Sequence, residues 1–505
     1  MKKIFLITFL VSIYTVTYCQ SLIRDNSFGN QGIVNTNYLY NSGNAIYRII
    51  LLNDHKYIGV GSNRIIRFNE NGTKDTTFGI NGEFQISQQI NGGIYNIKLI
   101  NDSFYFLGYI NNNNSNSNDG LILKVTYNGL LDTTFANNGI LSYNINENEA
   151  FYDLDIASDN KIIGVGIKKS YPWQKLFIAK FNANGTIDSS FQNNGYKEIY
   201  VFPMATEKIE NISEIENNKF IIACTGRMNI NDSYSELALL KLDTDGNFDL
   251  SFNTTGTYIM PSYRPFYSNV KFFGNLLYVV NIDNNIYGVN YDATLFKMNL
   301  LDLTFQATLI DRDNSDYFIH NDLSVSVLSM NRDQVNVYPN RNLFIKKYDS
   351  NGNLDNSFCN TGIYEFNLSD INNYQTDDLP GSIAIYDDKI LISGQSQIPQ
   401  SGLFGFNCIF TKFSQITLAS DTFQKDKISI APNPASDYIK VNLKDISSPA
   451  SIKIFNLIGQ VVYESIILDN VNELQIKIDN LRSSLYLLKI IDSNNNVYDK
   501  KFLKE

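Results

Sequence analysis

One short pattern recurs seven times along this chain and constrains its fold more than any other feature. Each copy holds an aspartate followed three residues later by a phenylalanine, and six copies hold a glycine seven residues after the aspartate. The intervals between successive aspartates are 50, 57, 56, 61, 53 and 53 residues. This period is close to that of a propeller blade and longer than that of most helical solenoid repeats. The pattern residues are Asp25, Phe28 and Gly32; Asp75, Phe78 and Gly82; Asp132, Phe135 and Gly139; Asp188, Phe191 and Gly195; Asp249, Phe252 and Gly256; Asp302 and Phe305, with Leu309 in place of glycine; and Asp355, Phe358 and Gly362.

Each residue of the pattern has an expected structural role. An Asn-Gly or Asp-Gly pair precedes five of the aspartates and suits a tight turn with positive φ. The aspartate is expected to cap a one-turn helix through a backbone amide two or three residues later. The phenylalanine is expected to lie in the blade interior, and the final glycine lets the chain turn into the next strand. The turn glycines are Gly72, Gly129, Gly185, Gly246 and Gly352.

Between these loops the apolar residues alternate or run together as in β-strands. The first unit reads as three strands over residues 45–53, 56–61 and 64–68, and further triplets start near Ile94, Tyr152, Ile209, Ser268, Leu323 and Ile383. The first loop has no triplet before it and the last triplet has no loop after it. We therefore predict an all-β fold, a seven-bladed β-propeller closed by the N-terminal strand at residues 33–39, followed by a small C-terminal β-sandwich.

The repeat NENGTKDTTFGING, as it stands around Asp75, resembles the delta-60 repeat of bacterial propeller-like proteins. The resemblance extends over about residues 21–413. It implies a propeller fold and carries little information about chemistry.

The N-terminal segment MKKIFLITFLVSIYTVTYC is typical of a secretory signal peptide, residues 1–19, cleaved before Gln20. Its basic head is Lys2 and Lys3, and its apolar run is shorter than the roughly 20 residues that span a membrane. A membrane anchor is therefore disfavoured, as is a lipoprotein, because bulky Tyr18 precedes Cys19. We expect no transmembrane segment in the mature chain.

The last part of the chain, about 80 residues, lacks the repeat pattern. Residues 414–427 read as a linker, and residues 428–505 as alternating strands suited to a β-sandwich. This block resembles the type A sorting domain of the type IX secretion system, although Ser484 stands where the family usually has glycine. The resemblance implies export through the type IX secretion machinery, via the periplasm, to the extracellular space or outer-membrane surface; an ordinary immunoglobulin-like accessory domain is the alternative. The matching sorting-signal residues include Pro432, Asn433, Pro434, Gly459, Lys500 and Lys501.

Composition excludes several functions. The chain holds 41 Lys and Arg against 51 Asp and Glu, without a basic cluster, which argues against a nucleic-acid partner. Two histidines, His55 and His320, leave little for a histidine metal site or a Ser-His-Asp triad. We expect no cofactor. Calcium (Ca2+) at blade junctions stays open as an alternative, although the run from Asp243 to Asp249 lacks the distal glutamate of an EF-hand.

Taken together, these features predict residues 20–413 as a non-catalytic binding or adhesion scaffold with a polysaccharide or protein ligand. No catalytic residue is assigned. The alternative is a secreted polymer-degrading hydrolase or lyase on the same scaffold, and a third hypothesis is a purely structural surface component. Convergent carboxylates in a cleft would favour an enzyme, and a smooth channel would favour binding.

Overall fold

The computed structural model describes residues 19–505 except 40–45, 62, 113–116, 146, 171–172, 193, 204, 217, 230, 232–234, 261–264, 284–292, 311–313, 331–341, 369–377, 401–402, 419–427, 444–447, 449, 457–460, 468–470 and 494–496. The chain forms two compact units, Met1–Thr417 and Leu418–Glu505. Apart from one 3-10 turn at Ile86–Gln88, the regular elements in this described part are β-strands. The predicted signal peptide lies, except for Cys19, outside it.

Within the described residues, the first unit forms seven antiparallel sheets. Six are four-stranded meanders whose strands follow chain order. The first three contain β3 (Ile46–Leu51), β4 (Tyr57–Gly61), β5 (Arg64–Phe68) and β6 (Glu83–Gln85); β7 (Gly92–Ile100), β8 (Ser103–Asn112), β9 (Ser117–Thr126) and β10 (Ile140–Tyr143); and β11 (Asn148–Ile156), β12 (Ile162–Ser170), β13 (Trp173–Phe181) and β14 (Tyr196–Ile199). The next three contain β15 (Ala205–Glu216), β16 (Lys219–Arg227), β17 (Glu236–Leu242) and β18 (Thr257–Ile259); β19 (Pro265–Phe273), β20 (Leu276–Asp283), β21 (Ala293–Asn299) and β22 (Phe305–Ile310); and β23 (Asn314–Ile319), β24 (Val325–Met330), β25 (Leu343–Tyr348) and β26 (Ile363–Phe366).

The seventh sheet joins the two ends of the repeat region. It contains β27 (Asp378–Tyr386), β28 (Lys389–Gln400) and β29 (Leu403–Leu418), and both β1 (Cys19–Arg24) and β2 (Ile33–Leu39) pair with β29. Ile33 lies opposite Thr411, and the Thr411 hydroxyl donates to the carbonyl oxygen of Gly32 at 3.0 Å. Strand β29 continues through Leu418, so the predicted linker, residues 414–427, begins inside a strand and otherwise lies outside the described residues. The sixth triplet was predicted to start near Leu323, which is wrong, since β23 begins at Asn314 and Leu323 lies in the turn after it.

Hydrogen bonds connect the first strand of each sheet, which we name the lead strand, to the lead strand of the next. The lead strands are β3, β7, β11, β15, β19, β23 and β27. The links are Arg48 Nη1 to Asn96 Oδ1 (3.2 Å), Asn96 Nδ2 to Asp153 Oδ1 (3.2 Å), Ile212 N to Asp153 Oδ2 (2.9 Å), Asn211 Nδ2 to Val270 O (3.1 Å), Asn269 Nδ2 to Asp316 Oδ1 (3.4 Å), Ile383 N to Asp316 Oδ2 (3.2 Å) and Ile49 N to Ser382 Oγ (2.8 Å). The last link returns to the sheet that holds Arg48. Bulges beside most of these positions account for the geometry, because a bulge redirects a side chain out of the regular pleat.

Apolar clusters fill the spaces between successive sheets, and six of the seven pattern phenylalanines belong to them. Phe78 lies between the first and second sheets, Phe135 between the second and third, and Phe28 between the seventh and first. The phenylalanines therefore pack between sheets, and not inside one blade as predicted. Each contributes roughly 1.5–3 kcal/mol of gross burial energy. Phe305 of the degenerate copy is the exception, with 54% of its surface exposed.

The pattern aspartates organise the loops. In all seven copies one carboxylate oxygen accepts the backbone amide and the hydroxyl of the Ser or Thr two residues later, as Asp75 does from Thr77 at 3.0 and 2.6 Å. The same contacts recur at Asp25, Asp132, Asp188, Asp249, Asp302 and Asp355. In six copies the segment that follows the aspartate is a turn and not the predicted one-turn helix, and in the degenerate copy strand β22 begins at Phe305. In those six copies the amide of the phenylalanine donates to the carbonyl oxygen of the aspartate, which closes a single turn.

In six of the seven copies a basic side chain pairs with the pattern aspartate, and the sequence analysis missed it. Arg67 Nε lies 2.8 Å from Asp75 Oδ2, and the Arg67 guanidinium carbon lies 4.9 Å from the centre of the Phe78 ring. In five copies an arginine or lysine stands eight residues before the aspartate, so the signal was present in the sequence. These residues are Arg67, Lys124, Lys180, Lys241 and Lys347. Lys180 lies over the Phe191 ring, and Lys161 pairs with Asp188 in its place. At the chain ends Lys412 takes this place, 3.1 Å from Asp25 and 5.1 Å from the Phe28 ring.

The turn glycines interlock neighbouring repeats. Gly185 has φ of +82°, and a Cβ atom there would lie 2.9 Å from the Phe135 ring of the preceding repeat. Beside it, the amide of Ala136 donates to the carbonyl oxygen of Asn184 at 2.7 Å. Glycine at this turn therefore serves both the left-handed backbone and the close approach of the aromatic ring.

The second unit contains two sheets that enclose one apolar core. One sheet has the order β30, β31, β34 and the other β33, β32, β35, β36. Alternate residues point inward along each strand, as in Ile439 and Val441 of β31. This arrangement is a small β-sandwich. The strands are β30 (Ser429–Ala431), β31 (Tyr438–Asn442), β32 (Ala450–Phe455), β33 (Val461–Ile467), β34 (Glu473–Lys477), β35 (Ser484–Ile491) and β36 (Val497–Lys504).

Replacing Gly185 with alanine should destabilise the first unit more than replacing Gly274. Both positions have positive φ, but a Cβ at Gly274 meets nothing within 4 Å. We expect Gly274→Ala to cost about 1–2 kcal/mol, and Gly185→Ala to cost about 1–3 kcal/mol more because of overpacking against Phe135. Urea unfolding followed by circular dichroism measures both. Equal losses of unfolding free energy in the two variants would contradict the close packing of Gly185 against Phe135.

Low pH should destabilise the Asp75 loop, and an Asp75→Asn variant should lack this contribution to the pH dependence of stability. Burial opposes ionisation of Asp75, but hydrogen bonds from Thr77 and Lys56 and the charge of Arg67 outweigh it and hold its pKa well below its usual range. A lowered pKa in the folded state stabilises the protein above the unfolded pKa of about 3.9, and this contribution is lost as pH falls through the folded pKa.

We therefore expect Asp75→Asn to cost about 3–5 kcal/mol at pH 7, since it leaves buried Arg67 unpaired. The difference from wild type should shrink steadily below a pH of about 4. Asp302→Asn is the matched control, because the ion pairs found among the described residues give Asp302 no basic partner. Thermal melts at neutral and acid pH measure the effect, and a difference that does not change with pH would refute it.

Candidate functional site

A groove lies in the first unit between the last strand of the sixth sheet, β26, and the N-terminal segment paired with β29. Its volume is about 690 Å³, which falls within the usual range of small-ligand sites. It is formed where the two ends of the repeat region meet. The lining residues are Arg24, Asn26, Gln31, Asn342, Tyr364, Glu365, Phe366, Asn367 and Phe413.

Three aromatic rings form one side of the groove. The centres of Tyr364 and Phe366 lie 5.4 and 5.0 Å from that of Phe413. Tyr364 and Phe366 are two residues apart on β26 and therefore share a face of the strand. The Arg24 guanidinium carbon lies 5.7 Å from the centre of Phe413. Phe366 and Phe413 are buried and Tyr364 is half-buried, so packing holds the three rings in place.

Polar groups stand around this wall. Arg24 donates to the carbonyl oxygen of Asn367, and Asn342 Nδ2 donates to Glu365 Oε1 at 2.5 Å. Within the described structure, Asn367 Oδ1 is buried and has no hydrogen-bond donor. A buried acceptor without a donor is uncommon in folded proteins.

These residue types suit a sugar. Aromatic faces stack on the apolar face of a sugar ring, amides and carboxylates bond its hydroxyl groups, and an arginine binds a carboxylate or sulfate in two-point fashion. Among the described residues, no group of three or more His, Cys, Asp or Glu side chains could hold a metal ion. The groove as described can bind and orient an organic ligand through its own side chains.

The sequence analysis did not find this groove. Arg24 and Tyr364 are 340 residues apart, and only the shared seventh sheet and its neighbour bring them together. The local signal is the run Tyr364-Glu365-Phe366-Asn367, which directly follows the pattern glycine and its strand residue Ile363. Such a run is also typical of an ordinary amphipathic strand.

Three carboxylates of β11 and the turn after it have structural partners. Asp153 is fully buried, and it accepts from the amide of Ile212 at 2.9 Å and pairs with Lys98 at 3.0 Å. Asp155 accepts from the amide of Glu214 at 2.7 Å. Asp159 accepts from the amide of Lys161 at 3.0 Å. Each of the three therefore accepts a hydrogen bond from a different backbone amide.

The predicted sorting-signal residues lie at the start and end of the second unit. Asn433 Oδ1 accepts from the amide of Leu503 at 2.8 Å, between Pro432 and Pro434. Lys500 and Lys501 lie in β36, opposite β35. Gly459 lies outside the described residues. The proline turn is therefore tied to the final strand of the chain.

No helix in the described part of the chain combines the length and the apolar character that a membrane crossing requires.

Two family models match the chain. Residues 429–505 match the secretion system C-terminal sorting domain. Residues 54–78 and 157–191 match a β-propeller domain of unknown function. Each propeller match runs from a β-hairpin turn to a pattern phenylalanine, Phe78 or Phe191, and so covers the repeat loop described above.

Two curated proteins are similar to a short part of this chain. The chain is 34% identical over 90 residues to ulvan lyase NLR42 of Nonlabens ulvanivorans, covering 17% of this chain and 16% of that protein. It is 30% identical over 86 residues to an endo-acting ulvan lyase of Formosa agariphila, covering 17% and 15%. The chain thus spans about a sixth of the length of these relatives.

Among solved structures, polysaccharide lyase Uly1 aligns with a TM-score of 0.45 at 10% identity, over 76% of this chain and 92% of that one. The β-propeller domain of the Trilobed protease from Pyrococcus furiosus aligns with a TM-score of 0.38 at 10% identity, over 69% and 88%.

The first match confirms the sorting domain predicted at the C-terminus, and the second shows that the repeat loops upstream of it are propeller-like. The chain is a propeller-like protein with a C-terminal sorting domain of the type IX secretion system, exported to the cell surface or the extracellular space.

Proposed function

We propose that the first unit is a closed seven-bladed β-propeller. Seven sheets, seven apolar clusters between successive sheets and seven links between lead strands support this count. The pairing of β2 with β29 and the contact of Lys412 with Asp25 support closure by the N-terminal segment. A closed ring leaves only short strand edges, which suits a protein that must persist outside the cell.

Deleting residues 21–40 should open this ring. The deletion removes β2, Phe28 and Asp25, so it exposes Phe410 and leaves the buried Lys412 ammonium unpaired. We expect the melting temperature of the first unit to fall by more than 10 °C, on the order of several kcal/mol. Adding the missing segment as a synthetic peptide should restore part of the loss, whereas a scrambled peptide should not. A melt unchanged by the deletion would exclude closure.

For the function, we infer that the exported propeller is a non-catalytic scaffold that binds saccharide chains through the groove and serves adhesion. The observation that carries this inference is the half-buried ring of Tyr364, which packs on buried Phe366 and Phe413 and lines the groove together with Arg24. The names of the curated relatives add support for a polysaccharide ligand, since both act on ulvan.

The second candidate is a polysaccharide lyase on the same scaffold. It is favoured by the relatives' names and by the presence of a tyrosine, an arginine and an asparagine in one groove. A tyrosine can serve as a general base, and arginine can stabilise the charge that develops on a neighbouring carboxylate. A purely structural surface component is the third candidate, and it requires no saturable ligand.

Titration calorimetry of the chain with soluble polysaccharides, ulvan among them, tests the binding role. We expect saturable binding that Tyr364→Ala weakens at least tenfold, about 1.4 kcal/mol, through loss of stacking. Tyr200→Ala is the matched control, because Tyr200 is an exposed tyrosine that lies over Lys175 and outside the groove. Equal affinity for wild type and Tyr364→Ala would remove the groove as the binding site.

The same samples separate binding from catalysis. A lyase forms a carbon-carbon double bond in its product, which ultraviolet absorbance detects. A scaffold binds without any rise in absorbance. If absorbance rises with wild type and stops with Tyr364→Phe while affinity persists, the lyase hypothesis replaces the scaffold.

A further inference from the structure

The degenerate sixth copy of the repeat differs from the other copies in the strand that follows it. In the other six copies the outer strand begins one residue after the pattern glycine, as β10 begins at Ile140 after Gly139. These six glycines have positive φ, between 75° and 93°, a conformation that leucine adopts only at a cost. In the sixth copy Leu309 stands in place of glycine, and β22 begins at Phe305. A stretch that forms a loop in the other copies is therefore part of a strand here.

The result is a long strand at the outer edge of the fifth sheet. β22 pairs with β21 through six residues, from Phe305 opposite Met298 to Ile310 opposite Ala293. The outer strands of the other five four-stranded sheets have only three or four residues. Within the described residues β22 pairs with no strand other than β21. Its outer side therefore presents backbone N–H and C=O groups to a further strand.

The sequence of β22 lacks the features that usually protect such an edge. Proteins keep edge strands short, or place charged residues or proline in them. The outer strands β6, β14 and β26 carry lysine or glutamate, and β10 and β18 are short. β22 reads FQATLI, with neither a charge nor a proline. It is both the longest and the least protected of the six outer strands.

Exposed apolar side chains lie beside this edge. Phe305 is 54% exposed, whereas the pattern phenylalanines of the other six copies are at most 5% exposed. Thr294 stands eight residues before Asp302, so this copy lacks the basic residue that covers the ring in other copies. Leu301 is 69% exposed, and the ring centre of Phe296 lies 6.3 Å from that of Phe305. The unpaired edge and the exposed ring are independent features of a surface that binds protein.

The charge of the chain favours a second copy as the partner. The net charge of −10 opposes the approach of two copies over most of their surface. The segment 303–310 contains no charged residue, so two copies meet there without like charges opposite each other. Identical antiparallel strands related by a two-fold axis also present complementary groups, since each N–H of one edge faces a C=O of the other.

We propose that two copies of this chain associate through antiparallel pairing of β22 with β22. The pairing joins the fifth sheets of the two copies into one continuous sheet and covers Phe305. An edge of six residues is small beside the interfaces of stable dimers. The dimer is therefore expected to be weak, with a dissociation constant on the order of 10 μM.

Sedimentation velocity of the full chain over about 1–200 μM tests the pairing. We expect dimer to form as the concentration rises. Ala307→Lys, at an exposed position of β22, should raise the dissociation constant at least tenfold, because a lysine on an edge strand opposes pairing. Ser142→Lys, at an exposed position of the outer strand β10, is the matched control and should leave the constant unchanged. Thermal melts at low concentration check that both variants fold.

A monomer at every concentration overturns the proposal and leaves a strand of another protein as the partner of this edge. A dimer that Ala307→Lys does not weaken overturns it too, because the copies then meet through another surface.

Hydrogen exchange of the wild-type chain gives a readout that needs no variant. Amides on the outer side of β22 should be protected at high concentration and should lose this protection on dilution, while exchange in β10 stays the same. Protection that persists on dilution would show that the chain covers the edge with its own residues. Fast exchange at every concentration would show that the edge stays unpaired. Either result overturns pairing between two copies.

Discussion

The first unit depends on the contact of a buried basic side chain with the aspartate and phenylalanine of the repeat. Arg67 illustrates it, because its guanidinium pairs with Asp75 and lies over Phe78. The aspartate also holds its own loop through Thr77. A charge of either sign alone would be costly in this position. The three side chains therefore stabilise one another, which accounts for the constant spacing of aspartate and phenylalanine within the repeat loop.

The same group connects neighbouring sheets. The phenylalanine packs between sheets and meets the turn glycine of the next repeat, as Phe135 meets Gly185. At the opposite edge the lead strands are joined through side chains such as Asp153 and Asp316. Apolar burial supplies most of the stabilising energy, whereas the polar contacts at both edges determine which sheet lies beside which. Lys412 and Asp25 form the same kind of ion pair between the two ends of the repeat region.

The candidate groove arises where this regularity is interrupted. It lies beside the sheet that contains both ends of the repeat region, where Arg24 and Phe413 meet. The repeat loops themselves are occupied by internal hydrogen bonds. Ligand binding is therefore expected at departures from the repeat and not within it.

Most of the strands, the loops with their aspartates and phenylalanines, and the sorting domain could be predicted from the sequence. These depend on local periodicity, turn chemistry and motif, which are read over a few residues. The sequence also contained the basic residue eight positions before the aspartate, although its role becomes evident only beside Phe78. Tertiary structure decided that the phenylalanines pack between sheets, that Phe305 is exposed, and that Arg24 meets Tyr364 across 340 residues. The reason is that contacts between sheets depend on which strands become neighbours in space, and a pattern read over a few residues does not specify those neighbours.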